Sequence, residues 1–214
     1  MCGRYDMSET PARLGSRYMV DVGSLAFSPS DDVRPTSSNP VMLLREGRRV
    51  VELMRWGLIP YWAKDPKAVA NSFNARSEDA YFRPMFRGPF RSRRCVVPAS
   101  AFYEWTHVPG EQRKMKYRIR RADGDLCALA GLFDVWRGGD QEIRSYTILT
   151  TSPNEMMAAL HDRMPVILGE EEWDEWLAPG TSIDTLRAMC MPCPSTWLLS
   201  ELASPAPLNA DFRF

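Results

Sequence analysis

The sequence predicts an α+β fold with a mainly antiparallel, barrel-like β-sheet core and peripheral helices. Three observations carry that reading. Short apolar runs recur with turn residues between them, as at residues 41–44 and 50–54 around Arg45-Glu46-Gly47-Arg48-Arg49. Helical patterns are short and interspersed among the strands. No internal repeat and no long linker interrupts residues 1–214, so a single domain is expected.

The elements follow in order. Residues 2–7 read as a short strand. Ser8-Glu9-Thr10-Pro11 offers a capping hydroxyl and a first-turn proline, which starts a helix running to about Val20. Residues 28–40, rich in Ser, Pro and Asp, read as an exposed loop. The hairpin at 41–54 leads into Arg55-Trp56-Gly57-Leu58-Ile59-Pro60-Tyr61-Trp62, where Pro60 puts two aromatics on a turn; Trp56 reads as buried and Trp62 as exposed. Residues 71–78 are polar and irregular, followed by a helix through Phe82 and Phe86. Strand pieces at 95–99 and 102–105 flank a small-residue kink. Residues 116–121 and 126–132 are expected to pair across Ala122-Asp123-Gly124-Asp125 as a second hairpin. A strand at 145–151 ends at Ser152-Pro153, which opens a helix at 154–160. Residues 166–168 read as a strand, 170–177 and 184–190 as amphipathic helices, and 196–199 as a last strand.

At 214 residues with 44% hydrophobic content, the chain can bury a substantial core. No apolar run approaches the roughly 20 residues that span a bilayer, and no signal-peptide core is present. A soluble, cytosolic monomer is expected. The five cysteines are scattered, which suits reduced thiols. Cys190 and Cys193 have C-x-x-C spacing, but a zinc site would need a second ligand pair, and only His107 and His161 exist. No metal or organic cofactor is indicated. Net charge is zero, yet residues 81–121 hold eleven Lys or Arg against two acids. Solvated basic surface is the common explanation of such a stretch, and a polyanion partner is the functional one.

The chemistry concentrates at Met1-Cys2-Gly3-Arg4-Tyr5. Removal of Met1 would leave Cys2 with a thiol and an α-amine, whose ordinary pKa near about 7.7–8.0 leaves part of it uncharged at neutral pH. Such an aminothiol condenses with an aldehyde to a Schiff base, and the neighbouring sulfur then closes a thiazolidine ring. Glu104 stands in the aromatic run Phe102-Tyr103-Glu104-Trp105, where a carboxylate is either ion-paired or catalytic with a raised pKa.

Five segments together resemble the SOS response-associated peptidase family, also called abasic-site processing proteins. They are Met-Cys-Gly-Arg-Tyr at the start, the Trp-Gly-Leu-Ile-Pro turn, Asn74-Ala75-Arg76-Ser77-Glu78, Phe102-Tyr103-Glu104-Trp105 and His161-Asp162-Arg163-Met164-Pro165. The resemblance covers nearly the whole chain to about Leu168. It implies binding of single-stranded DNA and capture of abasic sites as a protective covalent crosslink, in the cytoplasm and at the nucleoid. Carried over residue by residue, Cys2 forms the thiazolidine with the ring-opened deoxyribose, and Asn74 positions the N-terminus and the sugar. Glu104 deprotonates the Cys2 amine, and His161 protonates the ring oxygen. Arg4, Arg76 and Arg163 match positions at DNA phosphates, and Trp62 and Trp105 match aromatic positions near displaced bases. The name peptidase fits removal of Met1 by the same site.

Two features depart from the family pattern. Asp31-Asp32 precede Val33-Arg34-Pro35-Thr36 where an aromatic-Asn pair is usual, and Ser204-Pro205-Ala206-Pro207-Leu208-Asn209 replaces an Asn-rich motif. Taken singly, Glu104 could be an ion-pair partner, His161 a helix C-cap and Asn74 a turn residue. Two other functions stay open at this point: a cysteine hydrolase acting on peptides in trans, and a non-covalent DNA-binding module.

Overall fold

A computed structural model describes residues 3–22, 25–67 and 72–203. Two sheets organise them. In the first, β2 (Ser30–Val33), β1 (Tyr5–Met7), β7 (Ala101–Thr106), β8 (Met115–Arg121) and β12 (Leu198–Leu202) lie side by side, every pairing antiparallel. The second runs β4 (Arg48–Trp56), β3 (Ser38–Arg45), β6 (Arg94–Ala99), β9 (Cys127–Gly138) and β10 (Gln141–Thr151). Because β10 pairs with both β9 and β4, this sheet closes into a five-stranded barrel. The expected α+β, barrel-like architecture is the one observed. The short strands β5 (Asn74–Arg76) and β11 (Met164–Pro165) add to β10 beyond the barrel.

The hairpin expected at residues 41–54 joins β3 and β4. Its loop is only Glu46-Gly47, both with positive φ (49° and 76°), the turn that matches the twist of the flanking strands. Inside the barrel, Gly131 sits opposite Cys95 and Ile148. A Cβ there would meet Cys95 Sγ at 2.8 Å and the Thr147 carbonyl at 3.1 Å, so close strand approach requires glycine.

The second expected hairpin does not form. Strand β8 pairs with β7 and β12 in the first sheet, whereas β9 enters the barrel between β6 and β10. Burial on both faces decides this: residues 127–134 are buried without alternation, so they need cover on both sides. Strand β8 is mostly Lys and Arg and only half-buried, which suits a sheet with one solvated face. Residues 122–125 therefore link two sheets, with Gly124 at φ 76°.

Other differences are local. Residues 30–33, expected within a loop, form β2 because buried Val33 pairs with Tyr5. The helix expected through Phe82 and Phe86 is split into α2 (Ser77–Ala80) and α3 (Arg87–Ser92), as Pro84 interrupts it. The remaining helices are α1 (Pro11–Tyr18), α4 (Glu155–Ala158), α5 (Trp173–Leu177) and α6 (Ile183–Ala188). Thr10 caps α1 through Oγ1, with Pro11 at its first position, as the sequence indicated. The strand expected at 166–168 is reduced to an isolated bridge between Leu129 and Ile167, β11 lying just before it. No described helix is long and apolar enough to cross a membrane.

The two sheets meet at Tyr5. Its hydroxyl lies 2.7 Å from that of Tyr146 on β10, and its ring packs edge-on against Trp56, 5.1 Å away. Trp56 is fully buried, as expected, and its indole donates to the Phe73 carbonyl at 2.8 Å. Strand β5 starts one residue later.

Candidate active site

Strand β7 lies between β1 and β8, with Tyr5 opposite Phe102 and Glu104 opposite Tyr117. The Arg4 carbonyl accepts from the Tyr103 amide at 3.0 Å, so this register continues toward the chain start and brings Gly3 opposite Glu104. Side chains alternate along β7. Glu104 therefore shares the Tyr5 face, while Tyr103 and Trp105 share the face of Arg4.

Glu104 is only 3% exposed. Burial, reinforced by the nearby charge of Asp162, pushes its carboxyl up to about 7. His161 Nε2 lies 4.0 Å from Glu104 Oε2. The imidazole is delivered by α4: Asn154 caps this helix through Oδ1, and the His161 amide closes it on the Met157 carbonyl at 2.8 Å. His161 Nδ1 accepts from the Arg163 amide at 3.0 Å, which leaves the proton of the neutral ring on Nε2, facing Glu104. The Asp162 carboxylate, 2.7 Å from Nδ1, can accept only when the ring is protonated there. We assign the backbone contact to the neutral ring, because the turn fixes it whereas Asp162 stands in solvent. Burial lowers the His161 pKa against the pull of Asp162. The carboxyl, at about 7, thus lies above the lowered imidazole, the reverse of their ordinary order. Such a pair can exchange roles as proton donor and acceptor near neutral pH.

Asn74 heads β5, half-buried, with the Phe73 carbonyl accepting from Ile148 at 3.0 Å. The same strand places exposed Arg76 opposite Thr150 of β10. Arg163 reaches this region from the other side. Its two terminal nitrogens grip Glu78 at 2.6 and 2.7 Å, and one also donates to the Thr150 carbonyl at 2.7 Å. The His161 turn is thereby clamped to α2 and β10. Arg163, expected at a phosphate, is first of all part of that clamp.

Arg4 lies over the Trp105 ring, 5.6 Å from its centroid, and pairs with Asp32 at 3.2 Å. Trp62 is 52% exposed, as the sequence suggested, and Tyr61 beside it is 64% exposed. Their loop is firmly built. Ser145 Oγ accepts from the Ile59 amide at 2.8 Å, Asp134 accepts from the Tyr61 amide at 3.1 Å, and the Trp136 indole donates to the Ala63 carbonyl at 2.7 Å. Sequence reasoning passed over Asp134 and the Glu78 clamp, and noted Asp32 only as a departure from the family pattern. Asp134, a lone acid in an apolar run, carried the same signal that marked Glu104.

The cationic stretch at residues 81–121 is largely consumed within the protein. Arg94 is buried and donates to the carbonyls of Trp176, Phe90 and Ala178, Arg93 pairs with Asp134, and Arg118 with Asp6 and Glu201. Exposed Arg87 and Arg91 on α3 remain at the surface. Cys2 lies outside the described residues, as do residues 204–209. The other four cysteines are buried and reduced. Burial pushes the thiols of Cys127 and Cys190 up to about 12 and that of Cys193 to about 11, which makes them poor nucleophiles.

Comparison with known proteins gives one consistent match. The family model of the SOS response associated peptidase (SRAP) matches residues 1–204. The abasic site processing protein YoqW of Bacillus subtilis (strain 168) is 38% identical over 197 residues, covering 90% of this chain and 87% of its own. The chicken abasic site processing protein HMCES is 33% identical, covering 83% of this chain and 65% of its own. A crystal structure of a Bacteroides thetaiotaomicron protein superposes with a TM-score of 0.87 at 25% identity, over 94% of this chain and 91% of that one. A Bordetella bronchiseptica protein superposes with a TM-score of 0.84 at 27% identity, over 95% of this chain and all of its own.

Proposed function

The chain belongs to the SOS response associated peptidase (SRAP) family, and from that premise we propose that it captures abasic sites in single-stranded DNA as a covalent crosslink through Cys2. Relatives at 33–38% identity carry the name abasic site processing protein, which supports DNA damage as the context. The observation that carries the mechanism is the Glu104–His161 pair, 4.0 Å apart, with the carboxyl raised to about 7 and the imidazole lowered.

An abasic deoxyribose rests mainly as a closed hemiacetal. In its imidazolium form His161 gives the Nε2 proton to the ring oxygen while water takes the proton of the anomeric hydroxyl, so the aldehyde opens and the ring nitrogen is left neutral. Glu104 takes a proton from the Cys2 ammonium, and the neutral amine adds to the aldehyde carbon. Loss of one water gives the imine. The Cys2 thiol then adds across the C=N bond, its proton passing to nitrogen, and the thiazolidine closes. One water leaves in all, and no oxidant or reductant is required. Gly3, one residue from Cys2 in the sequence, runs opposite Glu104.

Asn74 orients the sugar and the chain start. Arg4 and Arg76 meet flanking phosphates, Arg163 supports the His161 turn, and Trp62 and Trp105 stack on the neighbouring bases. Removal of Met1, which liberates the amine, is assigned to the same site. The test is incubation with a single-stranded oligonucleotide bearing one abasic site. A heat-stable adduct on a denaturing gel, absent with the undamaged strand, supports the proposal. Cleavage of unrelated peptides without any adduct would favour a hydrolase instead.

A further inference from the structure

On the face of β7 opposite to Glu104, two guanidinium groups converge on a single carboxylate. Arg4 Nη1 lies 3.2 Å from Asp32 Oδ1, and Arg34 meets Asp32 Oδ2 through Nη2 at 2.6 Å and Nε at 2.9 Å. Strand β2 holds Asp32 there, since Val33 pairs with Tyr5. Lys116 completes the cluster, 3.8 Å from the Tyr103 ring centroid and 5.7 Å from that of Trp105. The side chains of Asp32 and Arg34 are 30% and 57% exposed, so the cluster opens to solvent. Cations interleaved with aromatic rings form the donor set that tracks a single-stranded backbone. Here a carboxylate already sits among them. Burial alone would push its pKa up, but the Arg34 hydrogen bond and the Arg4 charge more than offset this, so Asp32 stays ionised at physiological pH.

We propose that Asp32 is an internal competitor for DNA phosphate, occupying Arg4 and Arg34 until a phosphodiester displaces it. This rests on the reading of Arg4 and Trp105 as part of a DNA site. The consequence is a deliberately light hold on undamaged strands. Binding energy is withheld from the flanking phosphate, while the covalent step, in which Asp32 takes no part, supplies retention at an abasic site. The residue is therefore a specificity determinant and not a catalytic group.

The experiment compares wild type, D32N, D32S and D31N. Asp31 is an exposed neighbour whose replacement removes an equal charge from the same strand and leaves the Asp32 contacts in place. Affinity for a fluorescent oligothymidine is measured across salt concentrations, and wild-type capture of an abasic oligonucleotide is scored alongside. D32N and D32S are expected to bind about three- to five-fold tighter at roughly 0.1 M salt, with a log–log salt slope steeper by about 0.7. D31N is expected to give less than half of that gain. If wild type captures the abasic strand while D32N and D32S bind equally or more weakly, or D31N matches D32N, competition by Asp32 is overturned and the capture reading stands. If wild type neither binds nor captures, both fall.

Discussion

Glu104 and His161 face one another across 4.0 Å although 57 positions separate them in the chain. One comes from the middle of a sheet and the other from the turn after a four-residue helix. Burial raises the first pKa and lowers the second until their ordinary order is reversed, since it penalises the charged form of each: the carboxylate and the imidazolium. That is an expensive way to build a core and a useful way to move a proton.

The expense is measurable. A carboxyl raised from about 4.5 to about 7 in the folded state favours folding fully below pH 4.5, and that contribution is lost as pH rises through about 7. Glu104→Gln removes the ionised form that folding disfavours. Urea unfolding is expected to show the variant more stable than wild type at pH 8, by roughly 3 kcal/mol at most, with the difference shrinking toward zero at pH 5. A variant less stable at pH 8 than at pH 5, relative to wild type, would contradict the burial account.

The same substitution is expected to slow capture. Glu104→Gln and His161→Ala should each lower the first-order rate of adduct formation at saturating DNA by on the order of 100-fold. Oligonucleotide affinity should stay within about two-fold. Stopped-time gels and anisotropy titrations check the two halves separately, and a loss of affinity with a normal saturated rate would remove both residues from the proton-transfer roles.

Arg163 and Glu78 form a bidentate pair that spans 85 positions. A double-mutant cycle with Arg163→Ala and Glu78→Ala, read by urea unfolding, is expected to give a coupling of about 1 kcal/mol. Glu78→Ala should also slow capture, because the turn that presents His161 loses its tie to α2. A coupling near zero would show that the clamp does not hold this turn.

Tyr61 and Trp62 project from a loop whose backbone is fixed by Ser145, Asp134 and Trp136. Trp62→Ala is expected to weaken single-strand binding by about 1–3 kcal/mol, and Tyr61→Ala by less. Neither should shift the unfolding midpoint noticeably, since both rings are mostly in solvent. Unchanged affinity in Trp62→Ala would move the stacking surface elsewhere.

Much of this was legible in the sequence because it was local or chemically odd. A carboxylate amid Phe102, Tyr103 and Trp105, a histidine just after an Asn-capped helix, and an exposed tryptophan after proline each announce themselves within a few residues. The α+β barrel followed from the spacing of apolar runs. What stayed hidden depends on long-range partnership. The turn at Ala122-Asp123-Gly124-Asp125 looks like a hairpin, and only competition for a doubly covered place in the barrel sends β9 away from β8. Likewise nothing near Arg4 or Arg163 foretells Asp32 or Glu78, because each pair forms between strands and helices whose register the sequence does not print.

The central claim is that Cys2 closes a thiazolidine on the sugar aldehyde, and the intact mass of the adduct tests it most directly. With abasic single-stranded DNA, the expected mass is that of the Met1-free protein plus the strand less one water, unchanged by heating and by borohydride. Cys2→Ser is expected to give at most an imine, which borohydride traps and heat releases. A heat-stable, borohydride-insensitive adduct of the same stoichiometry formed by Cys2→Ser would contradict the account.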